Sequence, residues 1–220
     1  MVKFEQLIRE IPHNGVLSII QRDLESNGDL YSLSFLKHLL EAGEKVFVLL
    51  YEPFHVFLGN AKMMGIDVEG HLGKELVIFD VFASVNHLER NIPGVYTLSG
   101  YLDDVVFVTK LKELGREVLE SEMPESLWIF TYTTSGMCKL FSNPLLTYKM
   151  IWAMREELLT GLLRVNTIVM FSPIECPDIE DMIYFVSDVI IETMILKGRR
   201  VGIITKGPYE GEIFELFGGE

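Results

Sequence analysis

The chain has 220 residues and a formal net charge of −13, which opposes binding to the phosphates of nucleic acids. Hydrophobic residues make up 49% of it, yet no apolar run approaches the roughly 18 residues of a membrane span. We therefore expect one domain over residues 1–220, with a sheet covered on both faces and some apolar surface covered by a partner. Cys138 and Cys176 form no metal-binding or redox spacing, which fits a reducing cytoplasm.

Strand and helix patterns alternate as far as Phe171. Apolar runs typical of buried strands lie at residues 16–21, 46–51, 76–79, 127–132 and 167–171, with a short strand near residues 95–97. Helical spacing predicts helices at residues 2–11, 30–41, 53–64, 103–120, 144–162 and 178–185. The chain then changes to antiparallel strands at residues 189–195, 200–205 and 212–217. This order predicts an α/β fold, a mostly parallel sheet between helices with antiparallel C-terminal strands at one edge.

Residues 21–29, Gln-Arg-Asp-Leu-Glu-Ser-Asn-Gly-Asp, lie where a strand–loop–helix–strand unit places a phosphate-binding loop. Such a loop needs glycines around the phosphates, a lysine to neutralise them and a Ser or Thr for magnesium. By alignment of the helix, the lysine and hydroxyl positions fall on Gly28 and Asp29. The segment has one glycine, no lysine and three carboxylates, so we predict a degenerate loop. Its residues of interest are Arg22, Asp23, Glu25, Asn27, Gly28 and Asp29.

Motif-like segments follow one another along most of the chain. They are residues 10–15 (Glu-Ile-Pro-His-Asn-Gly), 42–52 (Ala-Gly-Glu-Lys-Val-Phe-Val-Leu-Leu-Tyr-Glu), 185–191 (Phe-Val-Ser-Asp-Val-Ile-Ile) and 197–207 (Lys-Gly-Arg-Arg-Val-Gly-Ile-Ile-Thr-Lys-Gly). In order and spacing they resemble the KaiC-like branch of the RecA superfamily of ATPases. The chain is also similar to a small group of uncharacterised proteins from hyperthermophilic archaea. The resemblance implies a three-layer RecA-like fold of the P-loop NTPase type.

The resemblance also implies a magnesium-binding aspartate at the end of the central strand. That strand reads Leu-Trp-Ile-Phe-Thr-Tyr-Thr-Thr-Ser from residue 127, with Phe130 or Thr131 at the acid position. Two separate parts of the ATP site therefore depart from the family, and we expect no nucleotide cofactor, no metal ion and no catalysis. The hydroxyls of residues 131–135 either hold a small polar ligand or cap the loop backbone.

Glu52 is the family position that survives. In the family the matching glutamate activates the attacking water. An acid just before Pro53, at the start of a helix, is also favoured by the helix dipole alone. We favour the second interpretation.

Two apolar segments are candidates for partner binding. In RecA-like recombinases, partners add a strand beside the strand that resembles residues 76–79 and place aromatic anchors near the helix that resembles residues 54–64. The edge at residues 76–79 is apolar and lacks proline, so it can pair with a peptide or another subunit. The alternative is that the same side chains belong to the hydrophobic core. They are Phe54, Phe57, Met63, Met64, Leu76, Val77 and Phe79.

The first functional hypothesis is thus a non-catalytic RecA-like domain that binds a protein or peptide by strand addition and forms homo-oligomers. The second is a divergent ATPase that uses Lys206, Arg199 or a neighbouring subunit's arginine in place of the lost lysine. The third, least favoured by the charge, is a nucleic-acid accessory factor.

Overall fold

The computed structural model describes residues 4–122, 126–159 and 164–218. The helices are α1 (Phe4–Arg9), α2 (Gly28–Glu41), α3 (Phe54–Met63), α4 (Val68–His71), α5 (Val81–Val85), α6 (Asp104–Glu122), α7 (Met137–Leu140), α8 (Pro144–Leu159) and α9 (Glu180–Val186). The strands are β1 (Val16–Gln21), β2 (Val46–Leu50), β3 (Leu76–Asp80), β4 (Val95–Tyr96), β5 (Ser126–Tyr132), β6 (Arg164–Phe171), β7 (Val189–Leu196), β8 (Arg199–Lys206) and β9 (Ile213–Glu215).

The strands lie in one sheet with the order β4-β3-β2-β5-β6-β1-β7-β8-β9. Every pair from β4 to β7 is parallel, whereas β7–β8 and β8–β9 are antiparallel. The predicted fold class is therefore confirmed. One detail differs, because β7 pairs in parallel with β1 and the antiparallel part starts only at β8. Within the described residues, no helix combines the length and apolar character needed to cross a membrane.

Helices cover both faces of the sheet. On one face, α2 and α3 pack against residues such as Leu17, Ile19 and Tyr132. On the other face, α6, α8 and α9 pack against residues such as Ile20 and Phe171. Because parallel strands are covered on both sides, their side chains are apolar in both directions. The carboxyl ends of β1, β2, β5 and β6 consequently meet at one edge of the sheet, where open α/β sheets bind ligands.

The prediction that β3 forms a free edge of the sheet is wrong. The short strand β4 pairs with β3, and the N–H of Ile78 donates to the carbonyl of Gly94 at 2.8 Å. The N–H of Gly73 donates to the carbonyl of Leu76 at 3.0 Å on the same side. The chain's own segments therefore occupy the groups that a peptide would need. The candidate side chains of β3 are also buried, namely Leu76, Val77 and Phe79.

The helix boundaries differ from the expected ones in two ways. α2 begins at Gly28, two positions before the predicted start, so Asp29 lies in its first turn and does not cap it. The short helices α4, α5 and α7 form where no helix was predicted. The end of the helix predicted at residues 144–162 lies outside the described residues.

A buried arginine joins α8 to the sheet. Arg155 is 5% exposed and its guanidinium donates to Thr167 Oγ1 at 2.8 Å and to the carbonyls of Asn14 and Val165 at 2.6 and 3.0 Å. These acceptors belong to β6 and to the segment before β1. Removing the guanidinium would leave buried carbonyls without donors, at about 1–3 kcal/mol each.

We expect Arg155→Met to lower the free energy of unfolding by about 2–4 kcal/mol, because an apolar side chain of similar length cannot donate to those oxygens. Urea denaturation followed by circular dichroism measures the change. The matched control is Lys149→Met on the exposed side of α8, expected within about 0.5 kcal/mol of the parent. Equal effects of the two substitutions would contradict this function of Arg155.

Candidate functional site

The backbone N–H groups of the loop after β1 donate hydrogen bonds to acceptors within the protein itself. A phosphate-binding loop leaves these groups free to donate to phosphate oxygens. Here the loop contains a short 3₁₀ turn, Leu24–Ser26, and folds back against β7. The donor–acceptor pairs are Arg22 N to Thr193 O (2.9 Å), Glu25 N to Asp23 Oδ1 (2.9 Å), Ser26 N to Asp23 O (3.0 Å) and Asn27 N to Leu24 O (3.4 Å).

The position that resembles the family's lysine cannot hold a lysine in this arrangement. A Cβ atom on Gly28 would lie 2.2 Å from Thr193 Oγ1, well inside contact distance. The same hydroxyl is 2.9 Å from Ser26 Oγ. The loop and β7 therefore pack too closely for any side chain at residue 28.

Arg22 is the basic residue of the loop, and its charge is balanced locally. Its guanidinium forms ion pairs with Glu180 of α9 and with Glu192 of β7, the latter at 3.2 Å. It also donates to the hydroxyl of Tyr184, which in turn donates to Glu192. Arg22 thus fastens the loop to α9 and β7.

Asp29 lies in the first turn of α2, where a phosphate would meet free N–H groups in an intact site. The backbone N–H groups of Leu30 and Asp29 and the side chain of Gln21 interact with its carboxylate. Burial nevertheless dominates and raises the pKa of Asp29 above its usual value. The chain's own carboxylate therefore takes the place of an external anion at this helix end.

Glu52 is half-buried between the end of β2 and α3. Burial, followed by the charges of Asp29 and Glu175, raises the pKa of Glu52 to about 7. A helix dipole alone would lower the pKa of an acid at this end, so burial and repulsion outweigh it. Its Oε1 atom is buried and has no hydrogen-bond partner among the described residues.

The end of the central strand carries no carboxylate. Phe130 is fully buried in the core, and Thr131 Oγ1 accepts a hydrogen bond from Thr134 Oγ1 at 2.9 Å. A nearby acid comes instead from the turn after β6, where Glu175 accepts from Ser135 Oγ at 2.9 Å and pairs with Lys139 Nζ at 3.0 Å. Sequence reasoning missed Glu175, because a single acid in a turn carries no pattern.

A disulfide connects the same two loops. Cys138 of α7 and Cys176 of the turn after β6 are bonded, with their Cα atoms 5.4 Å apart. The expectation that these cysteines reflect a reducing cytoplasm is therefore wrong as an inference from spacing, because the two loops adjoin only after β5 and β6 pair. In the described chain, no group of three acidic, histidine or cysteine side chains is arranged to hold a metal ion.

The candidate partner-binding side chains of α3 divide into two groups. Phe54 and Phe57 are 6% and 0% exposed and belong to the core, which is the alternative raised for them above. Met63 is 67% exposed, and Met64 is partly buried against the core. Val56, one heptad before Met63, is also exposed. Of the described candidate side chains, Met63 is therefore the exposed one, on the outer face of α3.

Comparison with known proteins supports the fold and nothing finer. No protein-family model matches the chain, and no curated protein matches it either. Many solved structures match the chain, among them two with a probability of 1.00. The uncharacterized protein PH0321 from Pyrococcus horikoshii, crystallised in complex with an unknown peptide, has 19% identity and a TM-score of 0.74 over 93% of this chain and 90% of that one.

Another match is the KaiC-like protein PH0186 from the hyperthermophilic archaeon Pyrococcus horikoshii OT3. It has 14% identity and a TM-score of 0.64 over 93% of this chain and 86% of that one. The chain has a KaiC-like RecA fold. The resemblance stated from the sequence motifs, including the likeness to proteins of hyperthermophilic archaea, is confirmed at this level.

We expect Glu52→Gln to be more stable than the parent at pH 8.5, by about 1–2 kcal/mol after allowance for partial exposure. The folded state holds the Glu52 proton more tightly than the unfolded state, whose pKa is near 4.5. The parent therefore loses stability as the pH rises through about 7, and glutamine does not. Urea denaturation at pH 5 and pH 8.5 should show a gap that shrinks towards pH 5.

The matched control for this pH dependence is Glu210→Gln, an exposed acid far from the site in the fold. Its gap to the parent should be small and the same at both pH values. A Glu52→Gln variant that is no more stable than the parent at pH 8.5 would refute the buried, repelled carboxylate.

We expect reduction of the disulfide to lower the free energy of unfolding by about 2–4 kcal/mol, because the bridge closes a loop with a sequence separation of 38. The measurement is urea denaturation with and without reductant, after refolding from the reduced, unfolded chain. The Cys138→Ala/Cys176→Ala double variant should have one midpoint under both conditions. Equal midpoints for the parent would show that the bridge contributes nothing.

Proposed function

We propose that the chain is a non-catalytic RecA-like domain whose nucleotide site is closed by its own residues and which binds a peptide or protein partner. The hydrogen bonds of the loop after β1 support the proposal that the nucleotide site is closed. Its N–H groups donate to Thr193 and to acceptors within the loop, so they are not aimed at a ligand. Binding of phosphates would require this loop to refold.

Charge supports the same proposal. A carboxylate close to a phosphate costs about 4 kcal/mol per pair at an effective dielectric near 20. A helix N-terminus contributes at most about 2 kcal/mol to anion binding. Asp29 already lies at the start of α2, and Asp23 and Glu25 lie in the loop. Repulsion therefore outweighs the attraction that remains.

A peptide partner is supported by the likeness to PH0321, which was crystallised with an unknown peptide. The outer face of α3, with Val56 and Met63, supplies exposed apolar surface beside the site. Strand addition at β3 is not part of the proposal, because β4 occupies that edge. A cytoplasmic location, homo-oligomer formation and weak affinity for nucleic acid stay predictions.

The divergent-ATPase alternative needs a cation in place of the lost lysine. Lys206 pairs with Ile190 near the start of β7, at the opposite end of the parallel strands from Glu52. Arg199 is engaged with Glu215 at 2.8 Å. Both side chains thus have partners within this chain, the carbonyl of Tyr184 for Lys206 and Glu215 for Arg199, and a neighbouring subunit's arginine is open to test.

We expect millimolar Mg-ATP to leave the melting temperature of the protein unchanged, since a ligand that does not bind the native state cannot stabilise it. Binding at 100 times the dissociation constant would add about 2.7 kcal/mol, or about 5–10 °C for a chain of this size. Differential scanning fluorimetry measures the shift. A shift of that size, with ATP hydrolysis that Glu52→Gln abolishes, would establish the ATPase alternative instead.

A further inference from the structure

The strand β9 is the last strand of the sheet in the order observed among the described residues. It pairs with β8 through hydrogen bonds that alternate along the antiparallel ladder. The N–H of Leu216 donates to the carbonyl of Arg200 at 2.9 Å, and the N–H of Ile204 donates to the carbonyl of Glu212 at 3.0 Å. These bonds fix which backbone groups of β9 face β8.

Two residues of β9 consequently turn their backbone groups outward. Ile213 and Glu215 lie opposite Ile203 and Val201 at the positions that exchange no hydrogen bonds with β8. No described group forms a hydrogen bond with the N–H or C=O of either residue. The side chain of Ile213 is also 55% exposed. An edge with such open groups accepts a further strand.

The charges along this edge are divided between its two ends. Glu210 and Glu212 precede β9, and both are exposed and form no ion pair with a described residue. Lys197 and Arg200 lie at the other end, in and beside the turn between β7 and β8. They too are exposed and form no ion pair with a described residue. The edge therefore has an acidic end and a basic end.

A cleft of about 660 Å³ adjoins the basic end. Its lining includes Arg199, Arg200, Leu216 and Phe217. Arg199 is paired with the Glu215 carboxylate at 2.8 Å, whereas Arg200 donates through Nε to a backbone carbonyl of the loop after β1. Phe217 is 45% exposed. The cleft thus offers apolar surface together with one cation, Arg200, that has no carboxylate partner in the described chain.

A second copy of the chain fits this edge when it lies antiparallel to β9, on a twofold axis through Phe214. Ile213 then lies opposite Glu215 of the second copy, and Glu215 lies opposite Ile213 of that copy. Each of these two pairs exchanges two hydrogen bonds in an antiparallel ladder. The outward backbone groups of both strands are then satisfied.

The same axis brings opposite charges together. Glu212 lies beside Leu216 of the second copy, and Arg200 of that copy lies on the next strand, opposite its Leu216. The three side chains share one face, since residues two apart on a strand and residues opposite each other point to the same side. Two strand spacings separate the Cα atoms of Glu212 and Arg200 by about 10 Å, within the combined reach of these side chains. The acidic loop before β9 adjoins the cleft.

We propose that two copies of the chain associate through antiparallel pairing of their β9 strands, which joins their sheets into one. The net charge of −13 opposes this association from a distance, but salt screens exposed charges beyond about 8 Å at physiological ionic strength. A foreign peptide meets the same backbone groups, whereas the second copy also supplies the acid and the base in matching order. This inference goes beyond the proposed function and does not depend on it.

Sedimentation equilibrium from about 10 µM to about 1 mM protein tests the association. Strand β9 has three residues, which is a small contact compared with the roughly 1,200–2,000 Å² of a standard interface. We therefore expect a monomer–dimer equilibrium with a dissociation constant of about 0.1 mM. A monomer throughout this range would overturn the proposal and leave the edge of β9 to a foreign peptide.

A charge swap tests the twofold arrangement. Glu212→Lys and Arg200→Glu should each weaken the dimer at least about tenfold, because each contact occurs twice. An equimolar mixture of the two variants should associate as the parent does, since each lysine then meets a glutamate and each remaining Glu212 meets an Arg200. The matched control is Glu113→Lys on α6, an exposed acid away from β9, expected to weaken the dimer less than about twofold.

A proline tests the backbone ladder. Ile213→Pro removes an outward N–H at an edge position, where sheets accept proline. We expect its circular dichroism spectrum to match that of the parent and its dimer to be lost up to about 1 mM. The control Ile213→Val keeps the N–H and should change the dissociation constant less than about threefold. Should Ile213→Pro not fold, the charge swap alone decides.

Two further outcomes would overturn the pairing of β9 even if a dimer forms. One is a dimer that Ile213→Pro leaves intact, and the other is a mixture of Glu212→Lys and Arg200→Glu that associates no better than either variant alone. Neither outcome bears on the proposed function, because the Mg-ATP melting experiment needs only micromolar protein, at which the chain is a monomer.

Discussion

The arrangement of the candidate site depends on one buried residue of β7, Thr193. Its carbonyl accepts the N–H of Arg22, and its hydroxyl pairs with Ser26. The same hydroxyl leaves no room for a side chain at Gly28. A backbone N–H that already donates to a good acceptor gains little from a second one, so these contacts hold the loop closed. A side chain at residue 28 and this packing against Thr193 are therefore mutually exclusive.

Closure of the loop changes the electrostatics of the whole edge. Arg22 forms ion pairs with Glu180 and Glu192. It therefore does not neutralise Asp29 or Glu52. Burial and the charges of Asp29 and Glu175 raise the pKa of Glu52 to about 7, so that this carboxyl group is about half ionised at pH 7. Such a perturbed carboxyl in a cleft is typical of a functional site. In this fold burial and the charges of Asp29 and Glu175 account for the raised pKa of Glu52.

The outline of the fold was predictable because parallel strands that are buried on both faces have continuous apolar sequences. Runs such as residues 46–50 are apolar throughout, and the helices between them have regular spacing. The absence of a lysine from residues 21–29 is likewise visible in the chain itself. By contrast, β4 has only two residues, Val95 and Tyr96. No pattern of that length shows which strand it pairs with, and the free edge at β3 was therefore wrongly expected.

The sequence by itself determined which groups the site lacks: a lysine at residue 28, an acid at residue 130 or 131, and glycines in the loop. Only the tertiary structure decided which groups the site has. Glu175 and the Cys138–Cys176 bridge connect the turn after β6 to the segment after β5, and these two segments meet because β5 and β6 pair in register. Local patterns report periodicity and burial, whereas the meeting of distant charges depends on strand order and on the direction of each side chain.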